Sequence, residues 1–258
     1  MKRLLSLVML ILFLTAGAAF AVPFTFGPGT TGEASLQTIL NNITVNGDSS
    51  VTTTTDSLAD TSDSYWQFDA TNNASSTIVI ELAGQSGSNT FGIYDANTKN
   101  TLSLFGGSAG QGDSVLLSLL NNNTVLAISV NPNSGAITTL GTMQLTSSYF
   151  GFYLGTSGGT FYSDSGLNTD NNADHMLAYQ GEGDLVRIPT RNPGPWTASE
   201  YILAWEDLAQ VNNTYPGDGD YNDFVVMVES LSPVPEPSTM LLLGAGLLGL
   251  GVYRRMRK

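Results

Sequence analysis

The chain has 258 residues, with no cysteine, one histidine, 9 basic and 22 acidic residues, and a formal charge of −13. Without cysteine there is no disulfide, no thiol nucleophile and no cysteine-ligated zinc or iron–sulfur site, and His175 alone builds no histidine-rich metal site. Residues 22–234 hold only Lys99, Arg187 and Arg191 against 21 acids, a charge of −18, which argues against nucleic acid and anionic lipid as partners and favours cations.

The N-terminus reads as a secretory signal peptide over residues 1–21. Lys2-Arg3 is a basic start, Leu4–Leu14 an apolar run, and Ala19-Phe20-Ala21 a small-x-small site for signal peptidase, with Ala19 and Ala21 its recognised residues. The mature chain then begins at Val22. Its length of roughly 200 residues suits one large β domain or two small ones.

Gly27–Gly32 is a Gly/Pro loop. In Glu33–Asn41 the apolar residues Leu36, Ile39 and Leu40 fall at i, i+3 and i+4, which predicts a short helix on the core. Thr44–Asp63, with four threonines at Thr52–Thr55, reads as an exposed strand or loop. From Tyr65 the pattern turns to strands. Tyr65–Phe68, Thr77–Leu82, Asn89–Tyr94, Thr124–Val130, Ser147–Leu154 and Thr160–Ser163 are rich in β-branched and aromatic residues, with Gly, Asn, Asp and Ser between them. Val115–Leu120 reads as a strand or a short helix. Asp95–Asn100 and Asn131–Gly135 read as turns. The expectation is an all-β fold, sandwich or jelly-roll-like, with a short N-terminal helix. We divide it into an N-terminal β region, 22–149, and a C-terminal β module, 150–232, with one continuous sandwich as the open alternative.

The chemistry concentrates in Ser199–Glu229. Glu200–Asp207 alternates, with Tyr201, Leu203 and Trp205 on one face, and Tyr221–Glu229 is a second strand. The joining loop, Leu208–Asp220, is longer than the two to five residues or so usual in a hairpin. Pairing the strands would gather Glu206, Asp207, Asp218, Asp220 and Asp223, with no Lys or Arg between Arg191 and Arg254 to neutralise them. Crowded carboxylates raise one another's pKa or recruit a cation. Oxygen donors, with Asn222 and backbone carbonyls in reach and Gly217 and Gly219 permitting tight turns, suit Ca²⁺. Asp218-x-Asp220-x-Asn222 copies the start of an EF-hand loop. Asp223 stands where that loop needs Gly, however, and a strand-like run follows, so the expected site is a calcium site in a β loop. His175 reads as structural rather than catalytic. Glu206 with Asp220 or Asp223 could form a glycosidase acid pair. Trp66, Trp196 and Tyr201 read as core residues rather than sugar platforms.

The C-terminus has three parts: Val234-Pro235-Glu236-Pro237-Ser238, extended because each proline fixes its own backbone and restricts the residue before it; the uncharged run Thr239–Tyr253; and the basic end Arg254-Arg255-Met256-Arg257-Lys258. The run falls short of the roughly 20 residues of a comfortable span, so it reads as a temporary membrane stop with its basic end in the cytoplasm.

Those three parts, over residues 233–258, resemble the PEP-CTERM sorting signal of exported bacterial proteins. The resemblance implies one transmembrane helix at 239–253, recognition by an exosortase-type membrane protease, cleavage near Pro235-Glu236-Pro237, and delivery to the cell surface or extracellular matrix. Trp205-Glu206-Asp207-Leu208 and Gly219-Asp220-Tyr221-Asn222-Asp223-Phe224-Val225-Val226 resemble an uncharacterised C-terminal β module of bacterial surface proteins with Glu-Asp-Leu and Asp-Tyr-Asn-Asp hallmarks. His175–Tyr179 is similar to that module's upstream strand. Together these point to a non-enzymatic surface or matrix protein, structural or adhesive, associated with exopolysaccharide or biofilm. The alternative is a secreted calcium-dependent carbohydrate-binding module or glycan-acting enzyme.

Overall fold

The computed structural model describes residues 21–22, 24–81, 87–131, 135–211, 214–235 and 254. The expected signal peptide, residues 1–21, lies outside the described residues except for Ala21, and the expected transmembrane helix 239–253 lies outside them entirely. So do Glu236, Pro237 and Ser238 of the sorting motif.

The strands in chain order are β1 (Ala21–Val22), β2 (Ser57–Leu58), β3 (Tyr65–Phe68), β4 (Asn73–Glu81), β5 (Thr90–Asp95), β6 (Thr101–Phe105), β7 (Ser114–Leu120), β8 (Thr124–Val130), β9 (Ile137–Gln144), β10 (Phe150–Thr156) and β11 (Gly159–Tyr162). They continue with β12 (Met176–Gln180), β13 (Leu185–Val186), β14 (Gly194–Pro195), β15 (Glu200–Trp205), β16 (Gln210–Val211), β17 (Tyr215–Pro216), β18 (Phe224–Glu229) and β19 (Leu231–Val234). A nine-stranded sheet runs β1-β2-β12-β15-β18-β4-β7-β8-β9, and a six-stranded sheet runs β19-β3-β10-β5-β6 with β11 on β10. All the named pairings are antiparallel. The protein is an all-β sandwich. Strands from before and after residue 150 interleave in both sheets: β4 lies between β18 and β7, and β10 between β3 and β5.

Two cores form. Between the sheets lie Trp66, Phe91, Ile93, Phe150 and Phe152 from one and Leu117, Ala127, Met176, Leu203, Trp205 and Val226 from the other. The second core covers the outer face of β12, β15 and β18, where Leu177, Tyr179, Ile202, Ala204 and Val225 meet Leu36, Ile39, Leu40 and Ile43 of a helix. That is why β12, β15 and β18 read as nearly unbroken apolar runs: both of their faces are buried.

The helix spans Leu36–Ile43, further along than Glu33–Asn41, because Ser35 caps it; its side-chain oxygen accepts from the Thr38 amide at 3.3 Å. Thr44–Asp63 is not an exposed loop. Val51, Thr53, Ser57 and Leu58 are buried, and the polar backbone there is satisfied from outside, with Thr53 N–H donating to Gln37 Oε1 at 2.9 Å. Val115–Leu120 is strand, with Val115 and Leu117 inside and Leu116 and Leu120 outside, because pairing on both edges outweighs leucine's helical preference. The strands β6 and β9 were not legible as such. β9 is mostly exposed Thr, Gly and Gln, with little apolar alternation to reveal it. The long loop is partly ordered by its own short ribbon, in which β16 pairs with β17.

Candidate metal centre

β15 and β18 are paired antiparallel with Trp205 opposite Phe224. Glu206 and Asp207 therefore leave one strand where Asp223 enters the next. Glu206 is wholly buried. The Tyr221 amide donates to its Oε1 at 2.8 Å, while Oε2 has no donor. Asp223 is the neighbouring charge that acts most strongly on Glu206. The Asp207 amide donates to Asp223 Oδ2 at 3.0 Å, and Asn89 Nδ2 donates to Asp207 Oδ2 at 3.1 Å.

Gly217 is what lets the loop close on this group. Its φ is +49°, and a Cβ placed on it would stand 2.1 Å from Glu206 Oε2. Any side chain there would both strain the backbone and strike the carboxylate.

The remaining acids form a second focus on the solvent side. Glu33, Asp218 and Asp220 offer carboxylate oxygens within 4.8 Å of one another. The N-terminal loop holds this focus in place: Gly27 N–H donates to the Gly219 carbonyl at 2.7 Å and Gly29 N–H to the Asp218 carbonyl at 3.2 Å. The Thr30 hydroxyl donates to Asp218 Oδ2 at 2.5 Å. A cavity of about 320 Å³ lined by Phe26, Gly29, Glu33, Gln37, Thr53 and Asp220 opens beside it. Asn222 is wholly buried, donating to Asp220 Oδ2 at 2.7 Å and to the Ala34 carbonyl at 2.9 Å, and its Oδ1 has no donor.

The six residues expected to act together thus divide. Glu206, Asp207 and Asp223 line the strand ends, Asp218 and Asp220 group with Glu33, and Asn222 bridges toward the helix. Glu33, Asn89 and Thr30 were missed. Each lies far along the chain from the loop, and no local pattern ties them to it.

The electrostatics follow from burial without a basic neighbour. Burial, then the charge of Asp223, pushes Glu206 up to about 10. Burial, then Asp207, pushes Asp223 up to about 7. Burial, then Asp218, pushes Asp220 up to about 6. Asp207 is raised by burial, with Asn89 opposing. A single proton or a single cation between Glu206 and Asp223 would relieve this crowding.

His175 is buried and stacked on Phe161 with ring centroids 3.7 Å apart. Its Nε2 lies 2.9 Å from Asp170 Oδ2 and its Nδ1 3.1 Å from the Glu206 carbonyl oxygen. Asp170 also accepts from the Gln210 amide at 2.7 Å, so the pair ties β12 to the loop. Burial lowers the His175 pKa and the neighbouring Asp170 opposes it.

Trp66 and Trp196 are wholly buried and Tyr201 nearly so, which leaves none of them as a sugar platform.

A family model described as a domain of unknown function, DUF4114, matches residues 110–230. A second, described as a PEP-CTERM protein-sorting motif, matches residues 233–258. No curated protein and no solved structure matches the chain. The DUF4114 match takes in the whole acidic loop and runs from β7 to the end of β18. The sorting match starts inside β19, whose Pro233 and Val234 pair with Trp66 and Tyr65. The chain carries a PEP-CTERM sorting motif, the mark of a protein exported and sorted to the cell surface through an exosortase in the membrane.

Proposed function

We propose that the sorted protein is a non-enzymatic surface or matrix component, structural or adhesive within exopolysaccharide or biofilm, whose acidic loop is set by calcium. The observation that carries the calcium is the wholly buried Glu206, with an oxygen that no donor reaches and the charge of Asp223 acting on it. A hard cation suits this all-oxygen site, and Asp207, Asp218, Asp220 and Asn222 supply further oxygens around it. The burial of Trp66, Trp196 and Tyr201 weighs against the carbohydrate-binding alternative. Anchoring is taken to be temporary, by residues 239–253, with cleavage near Pro235-Glu236-Pro237, and signal peptidase removes residues 1–21.

The test is a thermal melt of the protein and of its Glu206→Gln/Asp223→Asn variant, each in calcium and in chelator. A native-state site held at 100 times its dissociation constant adds about 2.7 kcal/mol, a shift of several degrees for a domain of this size. The shift is expected in the wild type and not in the variant. Equal melts in calcium and chelator would reduce the loop to a proton-sharing acid pair. Binding of purified matrix polysaccharide without turnover is the expected sign of the adhesive role, and release of sugar would overturn the non-enzymatic reading.

A further inference from the structure

A second group of acids lies apart from the loop. Asp60 and Asp63 open and close a one-turn helix between β2 and β3, and Asp174 lies just ahead of β12. Asp63 is wholly buried, and neither of its carboxylate oxygens has a hydrogen-bond partner. The amides of Asp63 itself and of Ala178 lean toward it but fall short of hydrogen-bond geometry. The charges that act most strongly on it are those of Asp174 and then Asp60, both of its own sign. Burial and this repulsion hold Asp63 and Asp174 well above the ordinary carboxylate range.

The polar atoms around Asp63 are otherwise engaged. Trp66 Nε1 donates to the Asp63 carbonyl at 2.7 Å, and Ser64 Oγ to the Asp60 carbonyl at 2.6 Å. Ser165 Oγ donates to Asp60 Oδ2 at 2.7 Å, the Met176 amide to Asp174 Oδ1 at 3.1 Å, and the Tyr221 hydroxyl to the Asp174 carbonyl at 2.6 Å. The shortage of donors is local to the Asp63 carboxylate. Protonation would remove its charge and still leave a carboxyl oxygen without a donor, so a proton does not resolve the site. A cation does, because it satisfies both oxygens and cancels the repulsion from Asp174.

We propose that the buried Asp63 carboxylate, with Asp174 beside it and Asp60 at its flank, holds a calcium ion at a site separate from the acidic loop. Calcium is chosen because the side-chain donors are carboxylate oxygens. Tyr221 divides the two sites, its amide on Glu206 and its hydroxyl on the Asp174 carbonyl. Asp60, Asp63 and Asp174 are not all drawn within 4.8 Å of one another as Glu33, Asp218 and Asp220 are, so Asp60 is assigned the outer place. Asp60 and Asp174 keep some exposure, which gives the ion a way in from solvent. The ion would join the turn leading into β3, in the six-stranded sheet, to β12 in the nine-stranded sheet. It would act as a clasp at one edge of the sandwich. This inference does not require the loop to bind anything.

Calcium stoichiometry, measured by equilibrium dialysis on the full chain, tests it in three forms: wild type, Asp63→Asn, and Glu206→Gln/Asp223→Asn. Asp63→Asn should lose one equivalent that the loop variant keeps. Equal stoichiometry in Asp63→Asn and wild type overturns the site, whether or not the loop variant loses its own ion. Melting adds a readout whose sign differs from that of a purely structural role. In chelator Asp63→Asn should melt at or above wild type, since the repulsion that Asp174 and Asp60 exert on the buried carboxyl is gone, and in calcium it should melt below. A variant that melts below wild type in both conditions, or fails to fold, makes Asp63 a structural acid and overturns the proposal. Asp174→Asn should follow Asp63→Asn in both measurements.

Discussion

Glu206, Asp223 and Asp220 make the acidic loop sensitive to pH. Each carboxyl sits above its ordinary range, so each binds its proton more tightly in the folded than in the unfolded chain. The stability they contribute is fully present below the unfolded carboxylate pKa of about 4. It is lost as pH rises through about 6 for Asp220 and about 7 for Asp223, toward about 10 for Glu206. Without metal, melting should fall from about pH 5 to about pH 8, and calcium should flatten that slope by replacing the protons. A melt that rises over the same range in chelator would contradict the crowding. Gly217→Ala is the sharpest single probe of the loop. It places a Cβ 2.1 Å from Glu206 Oε2 at a φ of +49°, and it should cost at least about 1–3 kcal/mol in denaturant unfolding and abolish the calcium shift. A melt unchanged from wild type would mean that the loop does not close on Glu206.

At the scale of elements, β19 couples the sandwich to the sorting tail. Leu231, Ser232, Pro233 and Val234 pair with Phe68, Gln67, Trp66 and Tyr65 of β3. Pro233 is tolerated because β19 is the edge of its sheet. The strand therefore continues past Ser232, the expected end of the C-terminal β module. A chain ending at Ser232 should unfold about 1–2 kcal/mol more easily than one ending at Pro235, having lost two paired positions and the packing of Val234. Equal stability in urea would show that β19 contributes nothing beyond Ser232. A cut on the C-terminal side of Val234 leaves this strand whole.

The whole molecule is held against its own charge. Residues 22–234 carry −18, and among their few cations Arg191 approaches Glu229 at 3.6 Å across an exposed gap, a pair of little value in water. In chelator, melting should therefore rise when sodium chloride is increased from about 10 mM to about 150 mM, as the Debye length falls from about 30 Å to about 8 Å. A fall would mean that attractive pairs dominate. Calcium should reduce this salt effect, since bound ions cancel part of the same charge.

Local sequence was enough for several features. Alternation and turn residues are visible within a few positions, so Tyr65–Phe68, Thr124–Val130 and the paired strands around Trp205 and Phe224 were legible, as was the all-β class. The sorting motif was also legible, because its three parts follow one another in the chain and need no folding to be recognised. The acidic residues of the loop could be named because strand pairing alone predicts that Glu206 and Asp223 meet. Tertiary structure decided the rest. It folded the N-terminal loop over Asp218 and Asp220 and so brought in Glu33 and Thr30, contacts between segments at opposite ends of the domain. It interleaved strands from both halves into each sheet. It also buried Asp63 without a hydrogen-bond donor, with the like charge of Asp174 acting on it, in a stretch that reads as an exposed strand or loop. Partners distant in the chain are set by packing two sheets and a helix around shared cores, and no local pattern of residues encodes that choice.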